Sequence, residues 1–260
     1  MERTVGQTAG RPGPVVTVRA AVGVLTRLPV GAVVDDPGAA AFALVGAVVG
    51  IVAALPLLLF GFVGEPILGA ISAVATLAAV SGALHLDGLA DTTDALLAPD
   101  HAAAERARKD PAVGPGGATA IVIALGTQVA ALASVSASSG PLVAAGILVV
   151  GGSVSRWLPV LAVVLLRQRV APDGLGAWFS ARASGVSAVV GATTVALAVV
   201  LAGAMVGWAI VPGALIGFAA GIVGTAMVAR ARGRLDGDGL GASVEIALTA
   251  TLVGLAVVAR

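Results

Sequence analysis

The sequence of 260 residues contains no cysteine and no tyrosine. The absence of cysteine excludes disulfide bonds, thiolate metal sites, iron–sulfur clusters and a cysteine nucleophile. Any metal must therefore be held by oxygen ligands or by the two histidines. The absence of tyrosine, with aromatic residues at only 3%, disfavours an outer-membrane β-barrel, which carries girdles of Tyr and Trp at both membrane interfaces.

Charge is also scarce. Charged residues make up 11% of the chain, against about 25% in a typical soluble domain, and the mean hydropathy is +1.04. This composition excludes a soluble globular protein, a disordered chain and a nucleic-acid-binding protein, so we expect the lipid bilayer as a partner and no nucleic acid. We predict an all-α, polytopic integral membrane helical bundle, with residues 1–260 in one domain. The 36 glycines indicate helices that pack through small residues, which also favours a homodimer.

Charge-free stretches long enough to cross the bilayer divide the chain into about seven transmembrane helices, each requiring about 20 residues. The predicted spans are residues 39–62, 66–84, 118–136, 142–166, 186–206, 214–229 and 242–258. Residues 1–14 are rich in Gly and Pro, and we predict a flexible N-terminus there. Residues 15–34 are interrupted by two arginines, which favours an interfacial or partly inserted helix, with an eighth span as the alternative.

Basic residues occur in alternate loops. They precede the first predicted span and follow the second, fourth and sixth, whereas the loops in between contain none. Because Lys and Arg bias a loop toward the cytoplasm, this alternation predicts a cytoplasmic N-terminus in a multi-pass protein of the cytoplasmic (inner) membrane. Two segments that contain groups of acidic residues, 85–117 and 230–245, would then both face the cytoplasm.

The first of these segments contains six of the 14 acidic residues. If the second span continues through it as one helix, Asp87, Asp91 and Asp94 lie at i, i+4 and i+7 on one face. Three like charges on one face repel each other, and Mg²⁺ is the cation that carboxylates and substrate phosphates commonly bind together. A solvated acidic loop is the alternative. His85 precedes Asp87 by two residues and is either a functional imidazole or a histidine that bonds the backbone at a helix end.

The second segment contains Asp238 and Glu245, seven residues apart. They share a helix face if the last helix begins near Asp238, and Glu245 then enters the membrane. An ionisable side chain within a membrane indicates a functional site, although a structural Glu245 paired with Arg156 is the alternative. Because both acidic segments are predicted on the same side of the membrane, they can share one site.

A glycine-containing loop precedes the third span. Basic residues that end at Lys109 come before Gly114 and Gly117. Backbone N–H groups at a helix N-terminus bind phosphate well, so this loop is a candidate phosphate site. An ordinary turn that carries cytoplasmic arginines would have the same sequence pattern.

The segment LHLDGLADTTDA at residues 84–95 resembles the signature of the adenosylcobinamide-GDP ribazoletransferase (cobalamin synthase) family. The order and spacing of four other motifs are also similar to that family: LTRLPV at 25–30, Lys-Asp at 109–110 with the glycines at 114 and 117, Ser-Arg-Trp at 155–157, and GDGLGA at 237–242 with Glu245. The resemblance extends over essentially the whole chain. The chain departs from the family pattern at residues 95–99, at Pro111 and at Pro115, which affects the expected loop geometry.

The resemblance implies that the enzyme transfers the cobinamide phosphate of adenosylcobinamide-GDP to α-ribazole or its 5′-phosphate, with release of GMP, in the final stage of cobalamin (vitamin B12) synthesis. It also implies a Mg²⁺ cofactor held by Asp87, Asp91, Asp94 and Asp238. The implied catalytic residues are Asp91, Asp87, Glu245 and His85. The implied substrate-binding residues are Arg27, Lys109, Gly114, Gly117, Arg156, Gly237 and Gly241.

Two other functions are alternatives. A CDP-alcohol phosphotransferase also holds a metal with aspartates at the ends of membrane helices, but its motif has Ala-Arg where this chain has Ala90-Asp91. A cation transporter would line a path with intramembrane acids. Here only Glu245 is predicted inside the membrane, so no relay of carboxylates crosses the bilayer.

Overall fold

The computed structural model describes residues 13–31, 36–109 and 112–258, with the side chains at 101 and 107–109 left out. The predicted flexible N-terminus therefore lies almost entirely outside the described residues. The described chain is all α-helical, apart from one isolated parallel bridge between Val170 and Leu235. Its helices are α1 (Pro14–Leu25), α2 (Phe42–Phe62), α3 (Pro66–Ser81), α4 (Leu84–Leu97), α5 (His101–Lys109), α6 (Pro115–Ser138), α7 (Pro141–Leu165), α8 (Gly174–Arg182), α9 (Gly185–Val206), α10 (Ile210–Ala231) and α11 (Gly237–Val258).

Six helices of the described chain are long and apolar enough to cross a membrane: α2 with the 3₁₀ turn before it, α6, α7, α9, α10 and α11. The seventh predicted span corresponds to α3, which passes the same test only together with α4. The prediction of a polytopic helical bundle with about seven spans is thus confirmed. We treat α4 as lying outside the membrane-spanning segments, because three carboxylates in a 14-residue helix are incompatible with hydrocarbon.

The second predicted span does not continue straight into the acidic segment. The axes of α3 and α4 differ by 89°, so the condition of one unbroken helix is not met, although α4 by itself contains all three aspartates of the acidic segment. The break lies at Gly82 and Ala83, which have φ values of 61° and 58°. Their amides donate to the carbonyls of Ala79 and Ala78, which ends α3. The side chain of Arg27 covers this turn, since a Cβ added to Gly82 would lie against its guanidinium.

Helix α1 has 12 residues and is about 18 Å long, too short to cross a hydrocarbon core of about 30 Å. It packs against α2, and its Ala21 and Leu25 are buried, while Val15 and Val16 remain exposed. An eighth span is therefore not formed by α1. Residues 32–35, the last part of that predicted segment, lie outside the described residues.

Helices α7 and α11 form the centre of the bundle and are the most buried spans. Helix α7 packs against α2, α9 and α11, and α11 also packs against α10, α4 and α6. Glycines make these contacts close: a Cβ added to Gly46 of α2 would lie 2.2 Å from the carbonyl oxygen of Gly152 in α7. A Cβ on Gly217 of α10 would lie 2.2 Å from Cα of Thr251 in α11. The prediction of close packing through small residues is confirmed.

Short turns join the spans at one end of the bundle, at residues 63–65, 139–140 and 207–209. The longer connections gather at the other end, which we call the charged end: α4, α5, α8 and the residues around 167–173 and 232–236. Backbone pairing ties these connections together, because the Ala171 amide donates to the Leu235 carbonyl and the Leu235 amide to the Arg169 carbonyl. The candidate site residues in these connections are thereby attached to the ends of packed spans.

Candidate active site at the charged end

The site begins with a close crossing of α4 and the start of α11. A Cβ added to Gly88 would lie 2.8 Å from the carbonyl oxygen of Asp238 and 3.1 Å from Cα of Gly241. Only a glycine allows the two helices to approach so closely. The crossing brings the two acidic segments together, as the sequence predicts, with Asp87 and Asp91 beside Asp238.

Asp91 at this crossing lies among other negative charges. Asp91 is half-buried, and this burial is the main cause that raises its pKa from 3.8 to about 6. The carboxylates of Asp87, Asp238 and Asp94 raise the pKa further, and Arg232 opposes them. Among the described side chains, no Lys or Arg forms an ion pair with Asp87 or Asp91. A bound cation would relieve this repulsion.

Among the side chains that the structure describes, no three His, Asp or Glu groups are arranged to hold a metal ion by themselves. Mg²⁺ in proteins usually keeps several waters and binds one or two carboxylates together with substrate phosphates. The carboxylates of Asp87, Asp91 and Asp238 are hard oxygen donors, and one or two of them fit a Mg²⁺ of this open kind.

Asp94 lies on the same helix, but its carboxylate caps α6. Its two oxygens accept hydrogen bonds from the amides of Gly114, at 2.7 Å, and Gly117, at 2.8 Å. A Cβ on Gly117 would lie 2.5 Å from the carboxylate, which explains the glycine there. The helix N-terminus that the sequence predicts as a phosphate site thus holds an anion in the structure, and that anion is Asp94.

Sequence reasoning missed Asp236 and Arg232. Asp236 is buried and forms a bidentate pair with Arg232, with N–O distances of 3.0 and 2.9 Å. It also caps α11 by accepting the Gly239 amide at 3.0 Å. Arg232 donates further to the hydroxyl of Thr92 in α4, at 3.3 Å. The i, i+4 spacing of the pair and the position of Asp236 just before a helix were signals that could have found it.

A cavity of about 330 Å³ opens beside the crossing. Predicted site residues in its wall are His85, Asp87, Gly237, Asp238 and Gly241. The other walls come from elements that the sequence analysis did not connect with the site, namely α1, the start of α2 and α8. From α8 come Trp178 and Phe179, and Phe179 stacks on Phe42 of α2 with ring centroids 5.1 Å apart.

His85 is 4% exposed, and its Nδ1 has no hydrogen-bond partner in the described chain. Burial is the main cause that lowers the pKa of His85 to about 3, and the nearby Arg156 lowers it further. The imidazole is therefore neutral at physiological pH. A buried polar atom without a partner is rare in folded proteins and needs an explanation.

Glu245 and Arg156 lie in the interior of the bundle, below the crossing. The Gln128 side-chain amide donates to Glu245 Oε2 at 2.9 Å and to the Thr249 hydroxyl at 3.0 Å. Arg156 is 2% exposed, donates to the Ser155 hydroxyl at 2.8 Å, and interacts electrostatically with Glu245. The structure thus places both predicted residues in one buried polar layer, and it adds Gln128, which the sequence analysis did not select.

The remaining predicted residues are Arg27 and Lys109. Arg27 has an exposed side chain packed on the turn between α3 and α4, and its amide donates to the Val80 carbonyl at 2.9 Å. The side chain of Lys109 lies outside the described residues, so its predicted role stays a prediction.

Comparison with known proteins gives a consistent result over most of the chain. The family model described as cobalamin-5-phosphate synthase matches residues 17–256. A curated protein of Rhizobium etli (strain CIAT 652), named adenosylcobinamide-GDP ribazoletransferase, is 34% identical over 83% of this chain and 84% of its own length. Proteins of the same name from Halorubrum lacusprofundi and Corynebacterium efficiens are each 35% identical. They match over 90% and 96% of this chain, and over 94% and 95% of their own lengths. No solved structure matches the chain.

Proposed function

The chain belongs to the cobalamin-5-phosphate synthase family, and we propose that it is a membrane transferase that joins adenosylcobinamide-GDP to α-ribazole or its 5′-phosphate, with release of GMP. The observation that carries the proposal is the backbone contact between α4 and the start of α11. It brings the two most specific motifs, residues 84–95 and 237–242, together beside one cavity. The names of the related proteins supply the substrates.

The reaction replaces the phosphoanhydride bond of the donor diphosphate by a phosphodiester bond to the acceptor. The 3′-hydroxyl oxygen of α-ribazole attacks the phosphorus that carries cobinamide, and the bond from that phosphorus to the bridging oxygen of GMP breaks. The hydroxyl loses its proton to a carboxylate of the crossing, and GMP leaves with the bridging oxygen. Catalysis of such a step depends on positioning and on neutralising charge, which requires no covalent intermediate with the protein.

One or two of the carboxylates of Asp87, Asp91 and Asp238, together with waters and the donor diphosphate, would hold Mg²⁺. When bound, the ion would neutralise the diphosphate of the donor and the negative charge that develops on the leaving group. We place Asp94 outside this ligand set, because both of its oxygens already accept amides at the start of α6. Its role is to fix α6 against α4 and so hold the spacing of the other carboxylates.

The polar layer below the crossing supports the site from inside the membrane. Gln128 joins α6 to α11 through Glu245, and Arg156 contributes a positive charge from α7. We propose that Glu245 and Arg156 hold the start of α11 and the cavity floor in one arrangement. Arg27 at the α3–α4 turn and Lys109 are the proposed contacts for substrate phosphates at the cavity entrance.

We also propose that the charged end faces the cytoplasm of a cell with the protein in its inner membrane. The support is the placement of basic residues, which gather in the connections of this end. A soluble nucleotide-activated donor would then reach the site directly. A homodimer stays a prediction from the small-residue helix faces.

The proposed function is tested with the full-length protein purified in detergent. With Mg²⁺, adenosylcobinamide-GDP and α-ribazole, we expect one GMP released for each cobalamin formed, measured by chromatography of both products. A Glu65→Gln variant, altered in an exposed acid at the opposite end of the bundle, is the matched control and should keep full activity. Release of CMP from a CDP-alcohol, without any GMP from the corrinoid substrate, would contradict the proposal.

A further inference from the structure

We propose that the 330 Å³ cavity at the charged end is the acceptor subsite, and that it binds the aromatic base of α-ribazole between the α8 wall and His85. This inference rests on the proposed function, and it assigns to one of the two substrates a place that sequence motifs do not indicate. The size is within the range of small-molecule sites, which start near about 300 Å³.

The first observation is the distribution of aromatic side chains. The chain has only five phenylalanines and three tryptophans, and three of these eight, namely Phe42, Trp178 and Phe179, line this one cavity. Phe42 and Phe179 stack on each other, and the guanidinium of Arg182 lies over the Trp178 ring, 5.5 Å from its centroid. These contacts hold the aromatic wall in place. A flat aromatic ligand is the chemistry that such a wall recognises best.

The second observation is the buried imidazole of His85 in the wall of the same cavity. Val24, Leu25 and Val244 also line this cavity, and the Nδ1 atom of His85 has no hydrogen-bond partner in the described part of the chain. An imidazole nitrogen can form a hydrogen bond with a ligand. A ligand that is mostly apolar, with a single nitrogen able to form a hydrogen bond, matches this lining.

The base of α-ribazole has this character. It is a benzimidazole in which one ring nitrogen is bound to ribose and the other is free to accept a hydrogen bond. Guanine, the base of the donor, has donors and acceptors along an entire edge. Asp173, Arg234 and Asp236 also line the cavity, but most of its wall is apolar, and burying the guanine edge against that part of the wall would leave donors and acceptors unpaired. A corrin ring is far larger than the cavity. The lining therefore favours the acceptor base over either part of the donor.

The cavity also extends from the proposed binding place of the base to the carboxylates of the crossing. Asp87 and Asp238 lie in its wall, so a nucleoside whose base contacts α8 and His85 has its ribose beside the carboxylates of the crossing. The attacking 3′-hydroxyl belongs to that ribose. Binding of the base would thus orient the nucleophile toward the proposed Mg²⁺ and the donor phosphorus.

The test compares the Michaelis constants of the two substrates in Trp178→Ala. We expect KM for α-ribazole to rise at least about tenfold, which corresponds to about 1.4 kcal/mol, while KM for adenosylcobinamide-GDP stays within about twofold. Trp178→Phe keeps an aromatic ring and should recover most of the affinity. Trp208→Phe is the matched control, since that residue lies between α9 and α10 at the opposite end of the bundle, and both constants should be unchanged.

A binding measurement gives a readout without turnover. Titration with α-ribazole alone should quench the tryptophan fluorescence of the wild-type protein, and Trp178→Phe should lose most of this quenching. Equal quenching in both proteins would overturn the inference. So would an unchanged KM for α-ribazole in Trp178→Ala, or a rise in KM for the donor instead.

The failure of this inference can be distinguished from the failure of the proposed function. If the wild-type protein releases no GMP from the two substrates, the proposed function is wrong, and the inference that depends on it falls too. If the wild type is active and Trp178→Ala has normal Michaelis constants for both substrates, only the assignment of the cavity is wrong.

Discussion

Two acidic regions meet at the charged end, and their carboxylates are compensated in opposite ways. Before α11, Asp236 is buried and accepts two hydrogen bonds from Arg232 and one from Gly239. In α4, no described Lys or Arg pairs with Asp87 or Asp91, and burial with neighbouring carboxylates raises the pKa of Asp91 to about 6. The same residue type holds helices together in one place and accumulates charge in the other. Accumulated charge of this kind is typical of functional sites.

The largest effect on stability should come from Asp236. Asp236→Ala removes the partner of Arg232, whose side chain is 7% exposed, and it also removes the cap of α11. Leaving a buried charge unpaired costs about 3 kcal/mol or more, so we expect a large fall in the unfolding temperature in detergent. Glu105→Ala is the control, because the pair of Glu105 with Arg234 is about one-third exposed and should contribute less than about 1 kcal/mol. An equal fall in the unfolding temperature of both variants would contradict the explanation that the buried pair contributes more stability than the exposed pair.

Substitution of Asp91 should have the opposite effect, namely a large loss of activity without a loss of stability. Asp91→Asn keeps the shape of the side chain but removes a proposed metal-binding charge, so we expect activity to fall at least about 100-fold, or about 2.7 kcal/mol in transition-state stabilisation. The unfolding temperature in metal-free buffer should not fall. A variant with normal turnover would mean that the α4 carboxylates form a solvated surface.

The difference in stability between Asp91→Asn and the wild type should depend on pH. The pKa of Asp91 in the folded protein lies above its value of 3.8 in the absence of perturbation, so the ionised side chain opposes folding. In the wild type, this unfavourable contribution is absent below about pH 4 and develops fully as the pH rises through about 6. Asp91→Asn should therefore be more stable than the wild type at pH 7.5 and equal to it near pH 4, measured by thermal unfolding without Mg²⁺. A difference that is independent of pH would contradict this explanation.

A smaller effect is expected at Asp94. Asp94→Ala frees the amides of Gly114 and Gly117, and the loss of such a cap costs about 1 kcal/mol. Activity should fall moderately, because α6 loses its attachment to α4 while Asp87, Asp91 and Asp238 remain. Asp100→Ala, which removes a similar cap at the start of the exposed α5, is the control for an effect on activity. A loss of activity as complete as in Asp91→Asn would return Asp94 to the proposed metal ligands.

The helices could be predicted well from the sequence, because hydropathy and charge determine which segments enter a membrane. Six spans agree with charge-free stretches to within a few residues. The bend between α3 and α4 could not be predicted from the same signal. It depends on a left-handed Ala83 and on Arg27, a residue from a distant segment that packs over the turn.

The sequence predicted several residues of the candidate site, but not all of the contacts between them. The spacing of Asp87, Asp91 and Asp94 on one helix face, and the placement of both acidic segments at the same end of the bundle, follow from sequence pattern and alternating topology. The difference between Asp91 and Asp94 does not follow, because it arises from the amides of α6, which lie 20 and 23 residues further along the chain from Asp94. Gln128 was missed for the same reason, since its partner Glu245 is 117 residues away.

The sequence by itself determined that the protein lies in a membrane and at which end of the bundle its candidate site residues gather. In an apolar chain with few charges, most carboxylates and arginines lie at the ends of spans, so the positions of the charged residues indicate where the site lies. The tertiary structure decided which carboxylates are compensated and where the aromatic side chains meet. Those properties depend on contacts between helices that are distant in sequence, such as the approach of Gly88 to Asp238 and of α8 to the crossing, and local pattern contains no information about such contacts.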